Sequence, residues 1–333
     1  MGLLSELKLS VPWGHIAVKA WGSPQGPPVL CLHGWLANAN SFDRLIPLLP
    51  QTFYYVAMDF GGHGLSSHHH PGFSYHQQDY VNEVCRVVSA LRWKRFSILA
   101  HSFGSTIGGM FSCIFPEMVD KLIVLDSLPF LLDFPGPLLH PCSCSSRPCS
   151  PPPMAREGKA KEKQRLFTRM RFTQEASNLL VYRRRSIERV LQVEAKQQKP
   201  PKVVSPEEML QSFLKNNVQV DEECGRLLLE RGTTKVAEGV VLNRDQRLGL
   251  PENHFELISK EQLAYFCKQI QARVLIVMAT EGYHSYSATT TWRSPATITS
   301  TCRSPSGWPG SSATSWTATT ACRPTCSPPW TDP

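Results

Sequence analysis

Residues 96–109 read Phe-Ser-Ile-Leu-Ala-His-Ser-Phe-Gly-Ser-Thr-Ile-Gly-Gly. A short apolar run leads straight into Ser102, and a stretch with helical character leaves it. Small residues, Ala100 and Gly104, stand two before and two after the serine. A nucleophile elbow needs this pattern. A tight, strained turn lifts the serine oxygen above a sheet, and strand and helix backbones approach closely on either side. Gly104 meets that demand, whereas Ala100 brings one methyl where glycine is commoner. A serine placed this way points to acyl transfer through its oxygen. It calls for two oxyanion donors and a histidine base carried in from elsewhere in the chain. One donor is expected to be the backbone N–H of Phe103, immediately after the nucleophile.

Working towards the N-terminus, Pro28–Leu32 reads as a short buried strand ending in His33-Gly34-Trp35. A loop here can supply the second oxyanion donor, the backbone N–H of Trp35; paired donors of this kind typically lower the barrier by a few kcal/mol. His33 reads as a hydrogen-bonder beneath that loop rather than as a base. Asp59-Phe60-Gly61-Gly62-His63-Gly64-Leu65-Ser66 reads as a tight structural turn, since the Lys-Ser/Thr of a phosphate-binding loop is missing. His68, His69 and His70 are adjacent on a loop and do not share one face, so they make a poor metal site.

The first 130 residues alternate between strand and helix. An opening hairpin is expected at Leu7–Val11 and His15–Ala20, then strands at Phe53–Met58, Phe96–Leu99 and Leu122–Leu125. Helices are expected at Ser41–Leu49, at Tyr75–Leu91, where apolar residues recur every three or four positions, and at Ser105–Phe115. Strands spaced this way with helices between them give βαβ units, an α/β class and a mostly parallel sheet. His33, Asp59, Ser102 and Asp126 then fall at carboxyl ends of strands, where such sheets bind ligands.

From Pro129 to about Gln271 the pattern becomes helices and connectors, with helices expected at Gln174–Ala195, Glu207–Leu214, Asp221–Arg231 and Lys260–Gln271. Residues 1–128 thus read as the N-terminal part of a core and 129–271 as a helical cap. Residues 272–283 hold the last recognisable core strand. Within the cap, Pro137–Pro153 is rich in Pro, Ser and Cys, and an insert near 137–163 reads as disordered. Cys142, Cys144 and Cys149 there lack the spacing of a metal site. From His284 to Pro333, Ile298 alone represents Leu, Ile, Val, Met and Phe, so this stretch reads as a disordered tail.

A chain of 333 residues buries a substantial core. The net charge of +8 comes largely from a basic stretch between Lys159 and Arg189 that reads as a solvated helix face. No aromatic-rich RNA motif or zinc-finger spacing accompanies it, so a nucleic-acid partner is not expected. Nor is a transmembrane segment, because no apolar run is long enough. Without a signal peptide, the eleven cysteines are expected to be free thiols in a reducing compartment. Glu6 occupies the Ser/Thr position of a myristoylation signal and spoils it. No cofactor is implied, and an epoxide hydrolase or dehalogenase would need aspartate at position 102.

Leu-His-Gly-Trp, Asp-x-x-Gly-His-Gly-x-Ser and Ala-His-Ser-Phe-Gly, in this order, resemble the α/β-hydrolase fold. More narrowly they resemble its serine hydrolase-like branch, as do 184–195, Arg-Gly-Thr-Thr-Lys-Val-Ala at 231–237 and Val-Leu-Asn-Arg-Asp-Gln-Arg-Leu at 241–248. The resemblance covers roughly 1–136 and 165–283. It implies an α/β-hydrolase core with a helical cap, a small-molecule ester-like substrate, Ser102 as nucleophile, and cytoplasmic, vesicular or peroxisomal residence. It also implies an acid just after the strand at 273–280, followed by a helix, a strand and a Gly-Asn-His loop carrying the base. Here the acid's position falls near Ser285, and no such loop follows. His284 stands where an acid belongs, and Asp126 is an alternative candidate acid at a strand end. The tail therefore reads as frame-altered or alternatively spliced, with the last core strand and helix lost and the triad incomplete. An impaired serine hydrolase and a catalytically silent binding protein both fit; substrate and oligomeric state stay open.

Overall fold

The computed structural model describes residues 5–130, 201–218, 220–249, 259–278 and 297–299, together with 184, 187–188 and 190–195. In chain order, β1 (Ser5–Val11), β2 (Gly14–Trp21), β3 (Pro28–Leu32) and β4 (Tyr54–Met58) precede helix α1 (Gln77–Ala90). Then come β5 (Phe96–His101), α2 (Phe103–Ile114) and β6 (Val119–Leu125). The next elements are α3 (Pro206–Asn216), α4 (Glu222–Gly232), β7 (Thr233–Val236) and β8 (Gly239–Leu242). The series ends with α5 (Lys260–Gln269), β9 (Arg273–Val277) and β10 (Thr297–Thr299).

The main sheet runs β1-β2-β4-β3-β5-β6-β9-β10. The β1–β2 and β2–β4 pairings are antiparallel, and every pairing from β4 through β10 is parallel. This is the α/β architecture expected from the alternation. β4, Tyr-Tyr-Val-Ala-Met, is buried throughout, as a central strand covered on both faces requires. One face packs under α1 and α2, with Val84, Val88, Ile107 and Phe111 against Leu30, Val56 and Ile98. The other carries Val29, Cys31, Ala57 and Leu99 beneath Phe42 and Ile46. α2 lies close to the sheet because Gly108 faces it: a Cβ there would sit 3.0 Å from Ile98 Cγ2. The order reverses at β3, which has β4 on one side and β5 on the other. That switch point is where an open sheet leaves a crevice beyond its strand ends.

Three expectations need correction. The helix expected at Ser41–Leu49 is instead two short 3₁₀ turns, Ala39–Phe42 and Ile46–Leu48. Pro47 has no N–H to give and blocks a continuous α-helical ladder. The stretch expected to hold only helices and connectors between β6 and β9 also contains the antiparallel hairpin β7–β8. Its turn ends at Gly239, where φ is 153° and a Cβ would press on the Val204 carbonyl oxygen at 2.3 Å. Within the tail, Thr297–Thr299 pairs in parallel with β9; two threonines around the isoleucine suit an extended backbone. The described residues of 184–195 are helical, as expected. The Pro-Ser-Cys insert, the remainder of the tail and His284 lie outside the described residues. Among the described residues no helix is long and apolar enough to cross a membrane.

Candidate active site

Ser102 links β5 to α2 with φ 50° and ψ −117°, a conformation that L side chains rarely adopt. Such strain persists only where surrounding contacts enforce it. Here the Ser102 N–H donates to the Leu125 carbonyl at 3.2 Å, and the Ser105 N–H donates to the Ser102 carbonyl at 2.9 Å. The close approach foreseen at Gly104 is severe: a Cβ would lie 2.3 Å from the Leu32 carbonyl oxygen and 2.8 Å from that of His33. Backbone atoms cannot swing aside, so Gly104→Ala is expected to destabilise the fold by about 1–3 kcal/mol. Chemical denaturation measures this, with Gly249→Ala, which meets nothing within 4 Å, as the neutral comparison. The methyl of Ala100 is accommodated because Gly108 faces it, with a would-be Cβ 3.6 Å away. Ser105 also binds across the elbow, its hydroxyl donating to the Ala100 carbonyl at 3.0 Å.

The residues chosen from the sequence meet at the ends of β3 and β5. Gly34 lies directly against the elbow: a Cβ on it would be 2.9 Å from His101 Nδ1 and 3.4 Å from Ser102 Cβ. The Trp35 ring packs edge-on to Phe103, with centroids 5.0 Å apart, and to His63 at 5.4 Å. His33 is fully buried beneath this loop, as a structural hydrogen-bonder should be. Its Nε2 accepts from the Phe60 N–H at 3.1 Å, and its Nδ1 contacts the Gly34 carbonyl at 2.7 Å. Burial lowers its pKa to about 4. Asp126, the alternative acid, occupies the end of β6 with φ 48°, and its N–H donates to the Val277 carbonyl at 2.7 Å. Burial lowers the His101 pKa, while the charge of Asp126 opposes that shift.

The glycine-rich loop after β4 is structural, as read, but it also anchors the segment between β6 and β9. Asp59 is fully buried. It accepts from the Ala39 N–H at 2.8 Å through Oδ1, and through Oδ2 from the Leu65 N–H and Arg231 Nε, both at 2.8 Å. Arg231, at the end of α4, also forks onto Glu6 at 2.7 and 2.9 Å. Burial pushes the Asp59 carboxyl up and the Arg231 charge opposes it. Two backbone N–H groups and the Arg231 guanidinium meet this carboxyl and favour its charged form against the burial.

Farther along, Arg247 pairs with Asp245 at 2.6 Å, donates to the carbonyls of His69, His70 and Phe73, and lies over the Tyr75 ring. Tyr75 in turn donates to Asp245 at 3.0 Å. The three adjacent histidines separate in function. His68 bonds to the Asn243 carbonyl, His69 stacks on Tyr75 and reaches Glu83, and His70 contributes its carbonyl to Arg247. Sequence reading missed Arg231, Asp245 and Arg247. The only signal for them was charged residues inside the resembling stretches at 231–237 and 241–248.

A family model described as the alpha/beta hydrolase fold matches residues 27–221. The chain is 55% identical over 284 residues to a serine hydrolase-like protein of Mus musculus, covering 85% of this chain and 79% of the mouse protein. It is 57% identical over 282 residues to serine hydrolase-like protein 2 of Homo sapiens, covering 85% and 77%. Among solved structures, a hypothetical protein from Pseudomonas aeruginosa superposes with a TM-score of 0.60 at 28% identity, covering 82% of this chain and 81% of that one.

Proposed function

The chain belongs to the α/β-hydrolase fold family, and from that premise we propose that it performs ester-type acyl transfer on a small-molecule substrate through Ser102. The Ser102 oxygen attacks the substrate carbonyl. The backbone N–H groups of Trp35 and Phe103 receive the negative oxygen, the alcohol leaves, and water releases the acid. The segment 129–271 acts as the cap over this site. The observation that carries the reading is the strained backbone of Ser102 between a buried strand and a helix, with the His33-Gly34-Trp35 loop packed against it.

One sequence observation favours a second reading, a hydrolase-fold binding protein with little or no turnover. After β9, residues 278–333 hold a single histidine, His284, at the position of an acid. An incomplete triad typically loses several orders of magnitude in kcat while binding and oxyanion stabilisation persist. Reaction with a fluorophosphonate probe separates the two. Labelling that disappears in Ser102→Ala supports acyl transfer and sinks the silent reading. Cooperatively folded wild-type protein that takes up no probe overturns acyl transfer.

A further inference from the structure

We propose that Ser66 and His33 are positioning residues that form a one-way hydrogen-bond relay ending at the Trp35 N–H, so that the glycine-rich loop after β4 polarises and aims the oxyanion donor; this rests on the acyl-transfer reading above. The links run in a single direction. The Ala17 N–H donates to Ser66 Oγ at 2.9 Å, which leaves the Ser66 hydroxyl to donate to the Asp59 carbonyl at 2.6 Å. That carbonyl and the Phe60 N–H are two ends of one peptide group, and the Phe60 N–H donates to His33 Nε2 at 3.1 Å. A backbone N–H can only donate, so Nε2 is the bare nitrogen and the ring proton sits on Nδ1. Nδ1 therefore donates to the Gly34 carbonyl at 2.7 Å. The opposite end of the Gly34 peptide is the N–H of Trp35.

Two further features make the arrangement more than local tidying. The Gly34 carbonyl also accepts from the Ala37 N–H at 3.1 Å, so the oxygen of the peptide carrying the Trp35 N–H is held by two hydrogen bonds. The relay is also dry: His33, Asp59 and Phe60 are fully buried, and Ala17 and Ser66 are 2% and 6% exposed. Hydrogen bonds aligned head to tail in a low-dielectric interior strengthen one another. A preorganised N–H acts where negative charge develops in the transition state. Burial keeps His33 neutral at physiological pH, which preserves the tautomer that the relay needs.

The test replaces Ser66 by alanine, which ends the relay, and by cysteine, which keeps the side chain's shape with a much weaker donor. Ser112→Ala is the comparison. It removes another buried serine hydroxyl, one that donates to the Gly108 carbonyl within α2, and leaves the relay intact. Two readouts are taken: the rate constant for fluorophosphonate labelling of Ser102, and the amide ¹⁵N shift of Trp35 in protein labelled with ¹⁵N-tryptophan, assigned with Trp35→Phe. A hydrogen bond to the preceding carbonyl deshields an amide nitrogen, so weakening the relay moves the Trp35 resonance upfield. The expected result is a labelling rate about threefold lower in Ser66→Ala. Ser66→Cys falls between it and wild type, Ser112→Ala stays at wild type, and the ¹⁵N shifts follow the same order. An unchanged Trp35 resonance in both Ser66 variants overturns the relay. A resonance that moves while labelling keeps its wild-type rate overturns the positioning role. Wild-type protein that does not label refutes the acyl-transfer reading instead, and the relay is then decided by the ¹⁵N shift alone.

Discussion

Arg231→Ala is expected to destabilise the protein by about 3–5 kcal/mol, because it leaves a buried carboxylate without its cation. Asp59 is fully buried, and the Arg231 side chain is only 3% exposed. Backbone N–H groups of Ala39 and Leu65 still meet Asp59 in the variant, but two neutral donors do not replace a guanidinium. The carboxyl responds by holding a proton to a pKa still farther above its ordinary range. A group with a raised native pKa binds more protons folded than unfolded, so its contribution to stability is lost as pH rises through the native value. The cost of Arg231→Ala should therefore be larger at pH 8 than at pH 5, which urea unfolding at the two pH values measures. Adding Asp59→Asn removes the charge and should recover part of the loss. Arg226 pairs with Glu222 and Glu207 entirely at the surface, and Arg226→Ala should leave the unfolding midpoint where it was.

Acid should weaken the fold through His33. Its pKa falls from the ordinary 6.5 to about 4 because burial penalises the charged ring. Between these values the unfolded chain binds a proton that the folded chain refuses, so stability rises with pH across this window. The full span is worth about 3 kcal/mol. Protonation would also set a new N–H on Nε2 against the Phe60 N–H, donor facing donor. The shift at His101 has the same sign, whereas Asp59 and Glu83, both raised by burial, act in the opposite sense. The comparison that isolates His33 is the difference in unfolding free energy between wild type and His33→Gln from pH 7 to pH 4.5. That difference should shrink as acid is added, and a constant difference would refute the assignment.

Much of the sheet was legible because local pattern and tertiary environment agree. Pro28–Leu32 and Phe96–Leu99 are apolar runs bounded by turn residues, and they are β3 and most of β5. The periodicity of Tyr80, Val84 and Val88 marks α1, whose buried face they form. The elbow was legible because its small residues stand at fixed places beside the serine, although the backbone that Gly104 meets belongs to Leu32 and His33, far away in sequence. Ser41–Leu49 misled because its apolar spacing suits a helix while Pro47 forbids one. The β7–β8 hairpin was hidden by strands of four residues that alternate too briefly to register. The buried ion pairs were out of reach for another reason. Asp59 and Arg231 lie 172 residues apart, and nothing local to either specifies a partner at such a distance.

The backbone bonds at the strand ends form a staircase with a consequence for how the protein is made. Ser102 hangs from Leu125 at the end of β6, and Asp126, the next residue, hangs from Val277 at the end of β9. Val277 is synthesised 175 residues after Ser102. At ribosomal rates of about 5–20 residues per second that interval is about 9–35 s. Throughout it the nascent elbow lacks the support of β9, and the open flank of β6 is exposed to other chains. The Asp126–Val277 bond that backs the turn can therefore close only late in synthesis, although the residues of the elbow emerge in its first third.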